Sequence, residues 1–335
     1  MKILLVTEYW KGGTGWSYAQ HLRKLGQNVI IFDYRKSVLP FPPRSFISRG
    51  IRHLFNLPFC NIMNNHLIYC VKKNKPDFVF IVKGELIYPE TIRKIRDISK
   101  IINWYVDPIY SFNDKNTINA ARYYNILFVK DPAIVKIARI IGLKNVILLP
   151  EGYDELLYYP RKLKPEESQK YSSDISLVGF QYPYRLLAVS GIKGYNFKLW
   201  GKVTGDISYY PSLINCAENR FLTGIEKNII FNASKISLNI HHIGEIDSLN
   251  VRSFEICGAS GFQIMDYRET ANNFYVIGKE IVTYNSLEEL VKKINYYLKN
   301  SEERRKIALA GYKRAVKDHK LSSRLRILLN NVNKL

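Results

Sequence analysis

Short continuous apolar runs recur along the first part of the chain, each followed by a polar or glycine-bearing turn and then by a stretch with helical spacing. Runs of this length that are apolar on both faces mark parallel strands buried under helices. They predict strands over 2–6, 28–33, 78–82, 101–105, 126–129 and 146–149, with helices over 16–25, 89–98 and 133–141. The opening strand, the Gly12-Gly13-Thr14-Gly15 turn, the helix and the second strand read as a βαβ unit, and the alternation continues as a doubly wound α/β domain. A second alternation follows, with strands over 174–178, 197–199, 236–240, 262–265 and 280–284 and helices over 185–189, 252–257 and 287–298. Two amphipathic helices, 302–317 and 321–331, end the pattern. Between 158 and 173 it breaks into a polar stretch carrying Pro160 and Pro165, which has linker character. The chain is therefore read as two Rossmann-like domains, 1–160 and 161–318, with 319–335 as a terminal helix crossing back to the first.

The length of 335 residues agrees with two cores rather than one, and a 47% hydrophobic composition excludes a disordered or low-complexity chain. No apolar run approaches the ~18 residues of a membrane span. The apolar opening, Ile3 to Val6, is too short for a signal peptide. Cys60, Cys70, Cys216 and Cys257 form no close pair, so neither a zinc knuckle nor a disulfide framework is indicated. A cytoplasmic protein, at most peripheral on a membrane, is expected.

The net charge of +21 changes the picture, because it implies an anionic partner. Residues 1–164 hold 26 Lys and Arg against 12 Asp and Glu, two-thirds of the excess. No acid occurs between Asp33 and Asp77, where Arg35, Lys36, Arg44, Arg49, Arg52, Lys72, Lys73 and Lys75 alternate with apolar and aromatic residues. Residues 35–75 are thus expected to meet an anionic membrane surface or a nucleic-acid backbone, or else to bury their apolar members in the core.

Two places carry candidate chemistry. Gly12, Gly13, Thr14 and Gly15 sit between a strand and a helix, where backbone amides receive phosphates and, in a two-domain transferase, an acceptor. The turn is not G-x-G-x-x-G, and a plain left-handed turn explains its glycines equally well. The densest polar cluster runs from His241 to Glu255. Asn250, Arg252 and Glu255 fall at the mouth of a helix, where a fixed cation holds a diphosphate and a carboxylate accepts sugar hydroxyls. Asp247 precedes them with seven residues between it and Glu255. The plainer reading is a capped helix with a surface ion pair.

Residues 174–329 resemble the second domain of the CgeB-type, spore-maturation-like glycosyltransferases, a GT-B group. The resemblance rests on Asp174 to Gly179, Leu199-Trp200-Gly201, Ser234 to His241, Leu249 to Ile256, Gly261-Phe262-Gln263, Gly278 to Ile281 and a tail from Glu303 through Arg324. A looser likeness in the first half runs through Lys83-Gly84 and Trp104 to Asp107. It implies a GT-B fold, two Rossmann-like domains facing a cleft, and metal-independent, retaining transfer from a nucleotide sugar to a cell-surface glycan, lipid-linked or other anionic acceptor. In that family an acidic pair at this spacing contacts the donor, so Asp247 is assigned to the transferred sugar and Glu255 to the ribose. Asp247 replaces the more usual glutamate, and Ser260-Gly261 replaces a glycine pair, with Gly261 next to the donor.

Breaking a nucleotide–sugar bond places charge on the leaving diphosphate. Arg252, Arg185 after the Gly179 loop, and Lys202 are the expected cations, each with an alternative as a solvated surface charge. No D-x-D sequence marks a metal site, and no cofactor is expected. The expected acceptor base is Asp107, with Glu85 second, and His241 is expected to touch the sugar. Two other functions compete: a basic nucleic-acid-binding protein on a degenerate scaffold, which lacks any stacking motif, and an NAD-dependent enzyme using the Gly12–Gly15 turn, which leaves the 250–255 cluster unexplained.

Overall fold

The computed structural model describes residues 1–35 and 46–335, with the backbone alone for 46–58. The chain divides into two units. The first comprises Met1–Pro150, Gly244–Ser248 and Arg324–Leu335, and the second Glu151–Ile243 and Leu249–Ser323.

The first unit runs β1 (Lys2–Thr7), α1 (Thr14–Lys24), β2 (Asn28–Asp33), α2 (Phe46–Asn74), β3 (Phe78–Val82), α3 (Pro89–Arg96), β4 (Lys100–Tyr105), α4 (Ile109–Phe112), α5 (Lys115–Ala120), β5 (Ile126–Val129), α6 (Pro132–Ile140) and β6 (Val146–Leu148). Its strands form one parallel sheet in the order β2-β1-β3-β4-β5-β6. Val79, Ile81, Tyr105 and Leu127 on the strands pack with Met63, Leu67 and Val71 of α2, all buried. That packing takes Met63, Leu67 and Val71 of the basic 35–75 segment into the core, while Ile62 and Tyr69 stay exposed. Lys36, Arg44, Arg49 and Arg52, with the apolar residues between them, lie outside the residues whose side chains are described.

In the second unit the order is α7 (Pro165–Tyr171), β7 (Ser173–Val178), α8 (Pro183–Val189), β8 (Phe197–Trp200), β9 (Ala217–Glu218), α9 (Gly224–Ala233), β10 (Ser234–Asn239), α10 (Arg252–Gly258), β11 (Gln263–Asp266), β12 (Val282–Tyr284), α11 (Leu287–Lys299) and α12 (Ser301–Asp318). The last helix, α13 (Leu321–Val332), begins here and ends in residues that count with the first unit. The second sheet is also parallel, ordered β12-β11-β10-β7-β8-β9. Counted from its own first strand this is the 3-2-1-4-5-6 Rossmann order, whereas the first sheet begins 2-1-3 in the flavodoxin manner. The order reverses at β1/β3 in one sheet and at β7/β10 in the other, and those carboxyl ends are where a ligand crevice opens.

The stretch expected to be a linker instead contains α7. Pro165 stands in its first turn, where its missing N–H costs nothing, and Glu167 accepts the Lys164 N–H at 3.0 Å while pairing with Arg161 at 2.7 Å. The region read as a loop before β10 contains β9 and α9, the latter capped by Thr223, whose hydroxyl accepts the Glu226 N–H at 3.3 Å.

Candidate functional site

At the switch point of the second sheet the chain leaves β7 through Gly179, at φ +137°. A Cβ there would stand 3.1 Å from Arg252 Nη2 and 3.5 Å from Arg185 Nη1, so the missing side chain eases the close approach of Arg252, with Arg185 in ordinary contact beside it. Gly201 lets the backbone of the next strand end pass close to Gly179, since a Cβ on it would lie 2.0 Å from the Gly179 carbonyl oxygen. Arg252 opens α10 and donates to Glu255 Oε2 at 2.6 Å, while Lys227 of α9 reaches Glu255 Oε1 at 3.4 Å. Arg185 is buried, spends Nη1 on the Phe180 carbonyl at 2.8 Å, and its Nε has no hydrogen-bond partner among the described residues. Lys202, Arg220, Phe180 and Phe221 line the same pocket as Gly179, Lys227 and Arg252.

The electrostatics favour an anion. Burial alone would raise Glu255, but Lys227 and Arg252, helped by the Tyr158 hydroxyl, hold its carboxyl below the ordinary range. Burial presses the Lys227 ammonium down, and the charge of Arg252 adds to this against the pull of Glu255. Burial lowers Arg185 as well, with the Arg252 charge working against the phenols of Tyr184 and Tyr182. One carboxylate thus faces more positive charge than it neutralises, and an entering anion would relieve the excess.

Not every expected residue joins this cluster. Asn250 accepts the Ser253 N–H at 3.1 Å and exchanges amide hydrogen bonds with Asn239 at 3.0 and 3.2 Å, so its side chain is committed to holding the start of α10. His241 is 1% exposed. Its Nδ1 lies 2.7 Å from Asp266 Oδ1, which also accepts the His241 backbone N–H at 2.8 Å, and its Nε2 lies 3.3 Å from Ser253 Oγ. The order Asp-His-Ser imitates a hydrolytic triad, but Ser253 is wholly buried among Asn239 and Asn250, and the trio instead ties β10, β11 and α10 together. Burial works to raise Asp266, yet its hydrogen bonds with His241 and that ring's charge, with Arg268 beside them, hold the carboxyl at about 2. Gly261 precedes β11 at the other end of the sheet, where a Cβ would press on Ile256 Cγ2 at 3.1 Å and the Phe231 carbonyl at 3.3 Å. Its glycine serves packing. Asp247 lies in the 244–248 segment of the first unit, 42% exposed and 3.5 Å from Lys136. Beside it, Glu245 is buried against Lys130 at 2.6 Å.

The first unit gathers a different set at its own switch point. Glu8 and Trp10 follow β1, Tyr34 and Arg35 follow β2, Lys83, Gly84 and Glu85 follow β3, and Asp107 follows β4. Both carboxylates picked from the sequence, Glu85 and Asp107, therefore meet in one cluster. Lys83 bridges to Asp107 at 2.8 Å, and Arg35 pairs with Glu8 and lies over the Trp10 ring. Lys83 adopts φ +67°, a left-handed conformation unusual for a lysine, followed by Gly84 at +106°. Burial, reinforced by Asp107 and opposed by Lys83, raises Glu85 to about 7. Burial also raises Tyr34, with Glu8 and Glu85 adding to it.

Beside this cluster, Gly12 (φ +78°) and Gly13 lead into α1. A Cβ on Gly13 would strike the Trp10 indole at 2.5 Å, and one on Gly15 the Glu8 carbonyl at 2.4 Å, so packing accounts for two of the glycines. Thr14 opens the helix, whose first turn carries neither an acidic residue nor a side-chain cap.

Lys227, Tyr158 and Glu8 escaped the sequence reading. The pattern Thr223-Gly-Ile-Glu226 is a capping-box signal that would have placed a helix, and Lys227 on it, where a loop was read.

Residues 185–330 match the model of the family described as glycosyl transferase-like. Spore protein CgeB of Bacillus subtilis is 24% identical over 261 residues, 72% of this chain and 78% of that protein. Among solved structures, sucrose-phosphate synthase of Thermosynechococcus elongatus superposes with a TM-score of 0.70 at 12% identity, covering 99% of both chains. HepE of Anabaena in complex with UDP-glucose gives 0.69 at 11%, covering both chains fully. A glycosyltransferase from Rickettsia africae gives 0.63 at 15%, over 99% of this chain and 98% of that one. The two-Rossmann GT-B architecture expected from the sequence is the observed one.

Proposed function

We propose that this CgeB-like glycosyltransferase of GT-B architecture moves a sugar from a nucleoside diphosphate sugar, seated at the switch point of its second sheet, to a hydroxyl of a glycan or lipid-linked acceptor. The observation that carries the reading is the convergence of Arg185 and Arg252 on Gly179, with Arg252 and Lys227 both meeting Glu255 beside it.

In this reading the diphosphate lies on the backbone at Gly179 and Gly201. Arg252 and Lys227 meet the charge that develops on it as the glycosidic bond breaks, and Arg185 and Lys202 add to the field. These cations do the work that a divalent metal does elsewhere, so transfer proceeds with chelator present. Glu255, kept ionised by its neighbours, accepts hydrogen bonds from the ribose hydroxyls, and Phe180 and Phe221 offer faces to the base. Asp247 keeps the sugar-side role that the family resemblance gives it, and retention of configuration rests on that resemblance. On the acceptor side, Glu85 takes the proton of the attacking hydroxyl, with Asp107 and Lys83 setting its affinity. Thr14 and the Gly12–Gly15 turn hold the acceptor, and the basic 35–75 segment meets an anionic membrane surface. Among the described residues no helix is long and apolar enough to cross a membrane.

The test is a thermal-shift screen against nucleotide sugars with chelator. A nucleoside diphosphate sugar is expected to raise the melting temperature, and Glu255→Ala to abolish the rise. A rise unchanged in that variant would overturn the ribose assignment. Tight oligonucleotide binding with a steep salt slope and no nucleotide response would favour nucleic-acid binding instead.

A further inference from the structure

A basic concavity of the second unit lies away from the donor cluster. A pocket of about 600 Å³ opens at the amino ends of β10 and β11, and these strands run in the direction that carries β10 toward His241 and Asn250. Six residues of strand span about 20 Å, so it is a separate opening. Its volume is that of a small-molecule site.

Five of its fourteen lining residues are basic, Arg161, Lys162, Lys235, Arg304 and Arg305, and none is acidic. Two of the five have carboxylates just outside the pocket: Arg161 pairs with Glu167 at 2.7 Å and Lys235 with Asp174 at 2.8 Å. Lys162, Arg304 and Arg305 have no ion pair among the described residues. Arg304 spends Nη1 on carbonyls of Tyr297 and Leu298 at the end of α11. Burial and then the adjacent Arg305 push its guanidinium below the ordinary value, and Asp174 offsets this only in part. The two arginines stand early in α12, where the helix field disfavours cations. The nearby Glu303 is turned to the Tyr296 hydroxyl at 2.7 Å and does not relieve them.

The walls are fixed. Asn232 accepts the Arg161 N–H at 2.9 Å and donates to the Tyr159 carbonyl at 3.2 Å, binding the 159–161 strand of chain to α9. Ser260, at φ +59°, and Gly261 form the floor with Phe262. The arginines therefore crowd a built concavity with positive charge that the fold leaves unneutralised.

We propose that this pocket is a second anion site, for a ligand carrying two or more closely spaced phosphates. Guanidinium forks match phosphate oxygens in pairs, and three cations without an ion pair suit a diphosphate better than a single phosphate. The inference does not depend on the donor assignment, because the two openings share no lining residue.

Calorimetric titration with inorganic pyrophosphate, without metal, tests it on the whole chain. Lys162 and Arg305 are both exposed, so Lys162→Gln/Arg305→Gln preserves the fold, which its melting curve checks. The expected result is a stoichiometry one pyrophosphate per chain lower in the variant than in the wild type, or an affinity at least tenfold weaker at that step. Orthophosphate is expected to bind more weakly than pyrophosphate. Co-sedimentation with phosphatidylcholine vesicles, with and without diacylglycerol pyrophosphate, separates the sources: binding that needs both the diphosphate lipid and the two cations assigns the phosphates to a headgroup, and pyrophosphate binding without it assigns a soluble ligand. Stoichiometry and affinity indifferent to the double substitution, with no cation-dependent vesicle binding, would overturn the proposal.

Discussion

The two switch points occupy equivalent places in two parallel sheets, yet their chemistry is opposite. In the second unit cations surround one carboxylate held in its ionised form. In the first, three carboxylates gather with Lys83 and Arg35, and one of them retains a proton near neutrality. The contrast runs against overall charge, since the more basic part of the chain carries the acidic cluster. Net charge therefore says little about a site; what counts is which side chains the strand ends deliver to one point, and how far burial removes them from water.

The sharpest way to break the comparison is to remove a cation from the second cluster. Arg252→Ala is expected to lower the transfer rate by about 10²–10³-fold, the cost of deleting a preorganised donor to developing charge, measured as kcat with saturating donor. A loss confined to KM would mean that the cluster only binds.

Next comes the first cluster. Glu85→Gln is expected to lower kcat/KM by about 10²-fold or more. The wild-type pH profile should rise through about 7, where Glu85 loses its proton, and that limb should vanish in the variant. The stability sign follows from the same shift. Glu85 binds its proton more tightly folded than unfolded, so its contribution is full below the ordinary carboxylate range and falls as pH rises through about 7. Urea melts of Glu85→Gln should show a flatter dependence over that window.

Gly179→Ala probes the backbone under the cations. The left-handed φ and the 3.1 Å approach to Arg252 predict a loss of about 1–3 kcal/mol in denaturant melts, together with weaker nucleotide binding.

A smaller effect distinguishes structure from chemistry. His241→Gln is expected to destabilise the fold by about 1–3 kcal/mol and leave the nucleotide affinity within a few-fold. With Asp266 held at about 2, the stability this tie provides is present above the ordinary aspartate range and lost as pH falls through about 2. Smallest of all, Lys136→Ala removes an exposed pair with Asp247 and should change the melting free energy by less than about 1 kcal/mol.

The sheets were legible because buried parallel strands are apolar on both faces: 78–82 and 126–129 begin and end where the runs do. Helix α7 was hidden because Lys164-Pro165-Glu166-Glu167 satisfies a linker's composition and a helix start equally well. At the cationic cluster of the second unit, Arg185, Arg252 and Glu255 could be read from their positions beside strand ends. Lys227 could not, because it reaches Glu255 only when α9 packs beside α10. The partners of His241 were not legible for the converse reason. A histidine at a strand end looks available until its partners, Asp266 and Ser253, arrive from residues far along the chain.

The first unit is assembled from three stretches of chain, the last two being Gly244–Ser248 and Arg324–Leu335. A fragment ending at Pro150 would thus lack the residue that pairs with Lys130 and would expose the apolar places that Leu325, Leu328 and Leu329 cover. The amino-terminal half is therefore not physically self-sufficient. Expressed alone, the amino-terminal half should aggregate or be degraded, and recovery of folded protein when both halves are produced together would be the signature of a chain whose units finish folding only after its last helix has been made.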